Sequence, residues 1–387
     1  MSESAPQAPA ELASYEQLGI QPPARYALVI DARSPREFAE DHIPGAVNLP
    51  VVNDVEYAEV GTLHRQDPHA AYLLGVRYSL NNIARQLPPI IEPLPRFAPI
   101  LVYCFRGGKR SKLWADNLRT IGFRVDVLQG GWKRYREWVR NTLATLPQQF
   151  RFRVLVGPTG CGKTRVLQAL AAAGEQVLDL ENIASHRGSL IGGIPGLPQP
   201  SQKNFDSQLL HALRALDPSR IVWLEGESKR IGNVQLPTAL YDALLAAPTV
   251  SVDAPMAARV QMWKEDFPHF ATDPVGMVQQ LEPIRPLVGG EIYEQWLALA
   301  RSGSVDELFE RVMREHYDPC YARSLKKHVQ HARVEQRPHI KVADLDAEGL
   351  AAAAHMLGAL PESQDEHSDA LSTAAEPLSG DKVHRCV

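Results

Sequence analysis

The first apolar run of the chain has the pattern of a buried strand that leads into a helix. Residues 26–32 are almost uniformly apolar and include Asp31 near their end. Ser34 and Pro35 follow, and such residues are typical of the cap and the first position of a helix. Because short apolar runs bounded by such signals are typical of strands covered on both faces, the pattern predicts a β–α unit in an α/β domain.

A second apolar run places a cysteine at the end of a strand. Residues 99–103 have the composition of a buried strand, and Cys104 follows directly. Apolar residues then recur at helical spacing over residues 111–121. Since open α/β sheets place their functional groups at the carboxyl ends of strands, we expect Cys104 to lie at such an end, beside a helix N-terminus.

The second half of the chain repeats the β–α pattern. A strand is predicted over residues 151–156, and it is followed by a glycine-rich loop and a helix that continues to Gly174. Two further strands are predicted over residues 176–180 and 220–224, and residues 232–360 have mostly helical periodicity. The pattern therefore predicts an α/β domain with a helical C-terminal part.

Length and composition indicate two domains in a soluble protein. A chain of 387 residues exceeds one typical core, and we expect one domain over residues 15–145 and another over 150–345. The polar ends, residues 1–14 and 361–387, are expected to be disordered. No apolar run approaches the roughly 18 residues of a membrane span. The N-terminus lacks the features of a secretory signal, and four cysteines without a pattern form no disulfide framework, so the expected location is the cytoplasm.

Two basic segments stand out in a chain with a net charge of −4. Residues 133–153 and 323–341 each contain six Lys or Arg against a single Glu. They predict either a surface for a phosphate backbone, which proteins bind through Lys and Arg, or ordinary solvated helix faces. The cations that we single out for a nucleic-acid surface are Arg134, Arg136, Arg323, Lys326 and Lys327.

The loop from Cys104 to Arg110 has the composition of an anion-binding cysteine site. Its glycines free backbone amides, and its cations favour a negatively charged sulfur or ligand. The polar, glycine-rich flanks are unlike those of a cysteine that merely fills a core. The candidate catalytic residues are Cys104 and Arg110, and the anion loop between them comprises Arg106, Gly107, Gly108 and Lys109.

A phosphate loop follows the strand at residues 151–156. The sequence Gly-Pro-Thr-Gly-Cys-Gly-Lys-Thr has the spacing that lets backbone amides surround phosphate oxygens. Lys163 supplies a cation for the terminal phosphate, and Thr164 offers a hydroxyl to Mg²⁺. The candidate phosphate-binding residues are Gly157, Gly160, Gly162, Lys163 and Thr164, and Cys161 between them is interpreted as filler.

Carboxylates follow two strands of the second domain. Asp179 and Glu181 end the first of these strands, and Glu225 and Glu227 end the second. They predict a magnesium or substrate site, unless they are charged strand ends at a solvent edge. The irregular loop 185–203 is long for a compact domain, and such loops are often functional. The candidates for substrate or magnesium contact are Asp179, His186, Arg187, Glu225 and Glu227, and no structural metal is expected.

The first domain resembles the rhodanese (sulfurtransferase) family. The similarity is carried by Asp31-Ala-Arg33, Glu37-Phe38, His42-Ile-Pro-Gly-Ala46, Tyr103-Cys104 and Leu128-Gln-Gly-Gly-Trp132. In that family the loop cysteine accepts a sulfur, and this role falls on Cys104. The loop is one residue longer than the common pattern, with Lys109 at the usual arginine position.

The longer loop leaves a cysteine phosphatase open as an alternative. A longer loop makes a wider ring of amides, closer in size to a tetrahedral oxyanion, and the spacing Cys104-x5-Arg110 is also that of cysteine-dependent phosphatases. Against this alternative, Tyr103 stands where those enzymes usually carry a histidine.

The whole chain resembles the bacterial tRNA 2-selenouridine synthases. The similarity includes the lengthened cysteine loop, and it extends through both halves of the chain. Its other motifs are Glu59-Val-Gly-Thr-Leu63, Leu178-Asp-Leu-Glu-Asn-Ile-Ala-Ser-His-Arg-Gly-Ser189, Gln199-Pro-Ser-Gln202, Glu225-Gly-Glu-Ser-Lys-Arg-Ile-Gly232 and His316-Tyr-Asp-Pro319.

This resemblance implies an enzyme that replaces the sulfur of 2-thiouridine at the tRNA wobble position by selenium from selenophosphate. It also implies an S-geranyl intermediate that is made from geranyl diphosphate. The substrates would then be selenophosphate, geranyl diphosphate and thiolated tRNA, with Mg²⁺ at the diphosphate and selenophosphate synthetase as the supplier of selenium. The expected fold is a rhodanese-like domain with a parallel sheet, followed by a P-loop NTPase-like α/β domain.

Two other functions account for the same residues. One is a sulfurtransferase that uses ATP at the phosphate loop to activate its acceptor. The other is a regulatory nucleotide-binding module whose rhodanese-like half binds a partner, although an intact Cys104 among cations disfavours it.

Overall fold

The computed structural model describes residues 15–328, 338–342 and 345–361. The predictions for residues 1–14 and for the tail beyond Pro361 lie outside this part of the chain. The chain divides into two compact units. The first comprises the chain up to Leu146 together with Pro200–Ala215, and the second comprises Pro147–Gln199 and the chain from Leu216 onwards.

The first unit is built on a four-stranded sheet. Its strands are β1 (Leu28–Asp31), β2 (Val47–Asn48), β3 (Pro99–Tyr103) and β4 (Arg124–Val127). They lie in the order β2-β1-β3-β4, and every pairing is parallel. The two central strands are buried along most of their length, as expected where both faces of a parallel sheet are covered. The predicted α/β fold is confirmed, and Cys104 follows the carboxyl end of β3.

Five helices connect and flank these strands. They are α1 (Pro35–Glu40), α2 (Asp54–His64), α3 (Pro68–Ile91), α4 (Lys109–Ile121) and α5 (Gly131–Leu143). The sequence signals at α1 act as predicted, because Ser34 accepts a hydrogen bond from the Glu37 amide while the Glu37 carboxylate accepts one from the Ser34 amide. The core of this unit gathers around Trp114, with Cys104 among its members.

A five-stranded parallel sheet forms the centre of the second unit. The strands after β4 are β5 (Arg151–Val156), β6 (Gln176–Val177), β7 (Ile221–Glu225), β8 (Arg230–Ile231), β9 (Val234–Gln235), β10 (Thr249–Asp253) and β11 (His339–Lys341). The sheet has the order β11-β10-β5-β7-β6, and β8 and β9 form a separate antiparallel pair. The phosphate loop therefore leaves the central strand, β5.

The remaining helices belong to the second unit, except for α8. They are α6 (Lys163–Ala172), α7 (Leu180–Ala184), α8 (Gln202–Arg214), α9 (Thr238–Ala246), α10 (Met256–Asp266), α11 (Pro268–Thr272), α12 (Pro274–Gln280), α13 (Arg285–Val288), α14 (Gly290–Ser302), α15 (Val305–Val312), α16 (Asp318–His328) and α17 (Ala347–Gly358). A π-helical turn at Met313–Tyr317 joins α15 to α16. Helices α10 to α15 pack around Trp263, Trp296 and Phe309, which confirms the predicted helical C-terminal part.

Helix α8 belongs to the first unit although its sequence lies within the range expected for the second domain. Arg136 on α5 donates hydrogen bonds to Asp206 at 2.9 Å and to Ser207 at 3.1 Å. The Arg214 guanidinium lies 3.9 Å from the centre of the Tyr15 ring. These polar and aromatic contacts attach α8 to the first unit.

One predicted strand is shorter than expected. Residues 176–180 were expected to be extended, but the strand ends at Val177 and helix α7 begins at Leu180. The cause is Asp179, whose carboxylate accepts a hydrogen bond from the Asn182 amide at 2.8 Å and so caps the helix. The capping converts the end of the apolar run into a turn.

Candidate functional site

Cys104 lies at the base of its loop, almost covered by protein. The residue is 3% exposed and packs in the core of the first unit. Its Sγ lies 3.3 Å from the hydroxyl oxygen of Ser111, which also donates a hydrogen bond to the Gly108 carbonyl at 3.0 Å. The sulfur therefore has a hydroxyl partner at the start of helix α4.

The backbone of the cysteine loop is shaped by close packing against the start of helix α5. The Trp132 amide donates to the Cys104 carbonyl at 2.8 Å, and the Lys133 amide donates to the Phe105 carbonyl at 3.0 Å. A Cβ added to Gly131 would lie 2.2 Å from the Cys104 carbonyl oxygen, so only glycine fits there. Within the described part of the chain, the N–H groups of residues 105–110 donate no hydrogen bond.

The cations of the loop occupy different surroundings. Arg110 is three-quarters buried and forms an ion pair with Glu37 at 2.7 Å. Burial opposes the charge of Arg110, but the Glu37 carboxylate and the nearby Cys104 raise its pKa above the usual value. Arg106 and Lys109 are exposed and form no ion pair with a described residue. Arg110 is therefore the cation that is held beside the sulfur.

The phosphate loop has the backbone conformation that its glycines predicted. Gly160 and Gly162 have φ angles of +79° and +85°, which other residues rarely adopt. The Lys163 ammonium donates to the Gly157 carbonyl at 3.1 Å. Cys161 is fully buried, and burial raises the pKa of its thiol, as expected for a side chain that fills space.

Three glutamates gather beside the phosphate loop. Ligand oxygens of Glu181, Glu225 and Glu227 lie within 4.8 Å of one another. Burial raises the pKa of Glu181 and Glu225 and raises that of Glu227 to about 8, and repulsion from neighbouring carboxylates, Asp179 in the case of Glu225, acts in the same direction. Lys163 lies nearby, and its pKa is raised by Cys161 and these carboxylates against the effect of burial. The cluster thus favours a bound positive charge or shared protons.

The other residues predicted to contact substrate or magnesium, Asp179, His186 and Arg187, differ in their surroundings. Asp179 caps helix α7, so that Glu181 joins the carboxylate cluster in its stead. His186 is 8% exposed, and burial lowers the pKa of its imidazole. Arg187 lies 4.8 Å from the centre of the Phe267 ring and 3.6 Å from Asp266. All of these side chains line one cavity of the second unit.

That cavity measures about 480 Å³ and combines two kinds of wall. The phosphate loop and the carboxylates contribute the polar part, and Met262, Trp263, Phe267 and Tyr317 contribute an apolar part. Sequence patterns did not single out this apolar wall, although Tyr317 falls in one motif of the resemblance. Arg259 was also missed, and it binds the Thr159 carbonyl of the phosphate loop at 2.8 Å and the carboxylate of Asp318.

The five cations chosen for a nucleic-acid surface do not form one group. Arg134 is exposed, as a surface residue requires. The prediction that Arg136 belongs to this surface is wrong. Arg136 is only 7% exposed and is bound to Asp206, so its charge is unavailable to a phosphate backbone. Arg323 contacts the sulfur of Cys320. The side chains of Lys326 and Lys327 lie outside the described residues.

The fold and the two loops define a class of protein in which a rhodanese-like unit carrying a cysteine is joined to a phosphate-loop unit. Residues 14–137 match the rhodanese-like domain family, and residues 150–347 match the tRNA 2-selenouridine synthase AAA domain. The chain belongs to the tRNA 2-selenouridine synthase family.

Curated relatives support this assignment along most of the chain. A tRNA 2-selenouridine synthase of Nitrosomonas europaea is 36% identical over 67% of this chain and 67% of its own length. That of Pseudomonas fluorescens is 33% identical over 79% of this chain and 90% of its own length. The enzyme of Hahella chejuensis is 34% identical over 78% of this chain and 86% of its own length. Among the described residues, no helix is long and apolar enough to span a membrane.

Proposed function

We propose that this enzyme replaces the sulfur of 2-thiouridine at the tRNA wobble position by selenium from selenophosphate, through an S-geranyl intermediate made from geranyl diphosphate. The cavity of the second unit carries the proposal, because a phosphate loop and an aromatic, apolar wall line the same space. A diphosphate with an apolar tail needs the phosphate loop for its charged end and the apolar wall for its tail. The volume of about 480 Å³ falls within the usual range of small-molecule sites, roughly 300–1,000 Å³.

The phosphate-loop unit performs the geranyl transfer. The sulfur of 2-thiouridine attacks C1 of the geranyl group, so that an S–C bond forms, the C–O bond breaks and its electron pair leaves with diphosphate. N3 of the base then releases its proton, because the S-alkylated base is neutral. Lys163 and the amides of the loop stabilise the departing diphosphate.

The carboxylate cluster fits a magnesium ion at the same place. Glu181, Glu225 and Glu227 supply oxygen ligands at close range, and Glu225 Oε1 is buried without a hydrogen-bond partner among the described residues. Mg²⁺ prefers such oxygen ligands together with phosphate oxygens. Bound there, it would neutralise charge on the diphosphate, while Thr164 offers a further hydroxyl ligand.

The cysteine unit performs the selenium insertion. Selenium from selenophosphate attacks C2 of the modified base, so that a C–Se bond forms, the C–S bond breaks and geranylthiolate leaves with the electron pair. The P–Se bond breaks by transfer of the phosphoryl group, ultimately to water, and its electron pair stays on selenium. The geranyl group promotes this step because an alkylated sulfur leaves more readily than a thiocarbonyl. Cys104, Arg110 and the unpaired amides between them bind selenophosphate, which selenophosphate synthetase supplies.

The test separates the two half-reactions with the full chain. An anticodon stem-loop RNA with 2-thiouridine is incubated with geranyl diphosphate, and a pre-geranylated RNA is incubated with selenophosphate. The nucleosides are then identified by mass. We expect Lys163→Ala to abolish geranyl transfer and retain selenium insertion, and Cys104→Ser to do the opposite.

Three results would contradict the proposal. The assignment of the loops is reversed if Cys104→Ser abolishes geranyl transfer alone. Thiolation that depends on ATP, without geranyl or selenium products, would indicate a sulfurtransferase. No product from either half-reaction with the wild-type chain would refute the proposed function altogether.

A further inference from the structure

The loop between Cys104 and Ser111 has the features of a phosphoryl-transfer site. Its six N–H groups at residues 105–110 donate to no described residue, and they directly follow a cysteine whose sulfur is nearly covered. A phosphoryl group has three oxygens that accept hydrogen bonds from such amides and from a guanidinium. Glu37 holds the Arg110 guanidinium through bonds at 2.7 and 3.4 Å.

The electron balance of selenophosphate indicates which atom the sulfur attacks. Selenium in this molecule is at the oxidation level of selenide, bound to phosphorus(V). A bond between the cysteine sulfur and selenium would require selenium to lose two electrons, and the proposed reaction includes no oxidant. Attack of the sulfur on phosphorus leaves every oxidation state unchanged.

We infer that Cys104 accepts the phosphoryl group of selenophosphate and thereby releases selenide as the nucleophile for the tRNA base. This inference rests on the proposed function, in which selenophosphate is a substrate of this loop. In the first step an S–P bond forms, the P–Se bond breaks, and the electron pair leaves with selenium as hydrogen selenide. In the second step water attacks phosphorus, the S–P bond breaks, and its electron pair returns to sulfur.

Ser111 has a separate role in the second step. Its hydroxyl has one proton, which it donates to the Gly108 carbonyl while it lies 3.3 Å from Sγ. When the S–P bond breaks, the sulfur becomes a thiolate, and the hydroxyl can turn to donate to it. Ser111 is thus a positioning residue that stabilises the leaving sulfur, while phosphoryl uptake does not depend on it.

The experiment follows the phosphoryl group on the full-length protein. Selenophosphate labelled in its phosphate, and monothiophosphate as a stable analogue, are added without tRNA, and the reaction is quenched in alkali. We expect a peptide containing Cys104 to gain one phosphoryl group and orthovanadate to inhibit selenium insertion. In Ser111→Ala, hydrolysis of the phosphocysteine should be roughly 10- to 100-fold slower, the effect of losing a hydrogen bond to a charged group, so the adduct should accumulate.

Matched variants separate this role from general damage. Ser79 is a buried serine of helix α3 that donates to the Gly75 carbonyl at 2.7 Å, and Ser79→Ala should leave both steps unchanged. Ser111→Thr, which keeps a hydroxyl, should restore hydrolysis. A wild-type chain that inserts selenium but forms no phosphocysteine and resists vanadate would overturn the inference and leave the proposed function intact. Equal slowing of both steps in Ser111→Ala would overturn the role of Ser111.

Discussion

Asp41 is a buried carboxylate that contacts helix α5, and its replacement by Asn gives a quantitative prediction. The residue is fully buried, and its carboxylate accepts a hydrogen bond from the Trp132 indole at 2.8 Å and lies 3.5 Å from Arg136. Burial raises the pKa of Asp41 from 3.8 to about 6, although Arg136 acts in the opposite direction. The folded protein therefore favours the neutral carboxyl group.

The magnitude follows from linkage between protonation and folding. Because the pKa is raised in the folded state, the contribution of Asp41 is fully present below its unfolded pKa and is lost as pH rises through about 6. A shift of roughly two units at about 1.4 kcal/mol each amounts to about 3 kcal/mol. Asp41→Asn is neutral at every pH, so its free energy of unfolding should rise relative to wild type by about 3 kcal/mol between about pH 3 and pH 8.

The assay is hydrogen exchange of peptides from the first unit as a function of pH, which reports the free energy of unfolding locally. Asp116→Asn is a suitable control, because that side chain is 70% exposed and should give no such pH-dependent difference. Parallel pH profiles for wild type and Asp41→Asn would refute the reasoning. A difference that grows as pH falls would show that the ion pair with Arg136 outweighs burial.

Three further predictions concern the two loops and the charged surface. Gly131→Ala should abolish selenium insertion but retain geranyl transfer in a mass assay, because the added Cβ would collide with the Cys104 carbonyl. In Gly108→Ala the added Cβ meets nothing within 4 Å, so selenium insertion should be only mildly reduced. Equal losses of selenium insertion in the two variants would contradict this prediction. Glu227→Gln removes one charged oxygen ligand and should weaken Mg²⁺ binding in titration calorimetry, and unchanged affinity would place the cation elsewhere. Charge reversal at Lys133 and Arg134, both exposed, should lower the salt dependence of tRNA binding, and an unchanged slope would remove them from the interface.

The sequence predicted the parts of the fold that depend on local patterns. Strand β3 is an almost continuous apolar run and β5 ends in one, because both are buried in parallel sheets, and the structure has them over the predicted residues. The phosphate loop was also predictable, because its glycines adopt backbone angles that few other residues tolerate. These features are set by residues close together in the chain.

Features that depend on distant residues were not predictable in the same way. Arg136 lies in a basic segment that reads as a solvated face, and only the fold brings Asp206 to it. Asp179 and Glu181 were equivalent by sequence, but the start of helix α7 uses the first as a cap and leaves the second for the cluster. The apolar wall of the cavity comes from helices whose periodicity shows only that one face is buried.

The placement of helix α8 has a consequence for the integrity of the chain. Because residues 200–215 return to the first unit, the polypeptide passes between the units three times, near residues 146, 199 and 215. After a single proteolytic cut at one of these passages, the two fragments could separate only if residues 147–199 or 200–215 left the unit in which they pack. A fragment that ends at residue 146 would lack one of its own helices and expose the apolar surface that α8 covers, so isolated halves should be insoluble unless α8 is supplied with the first.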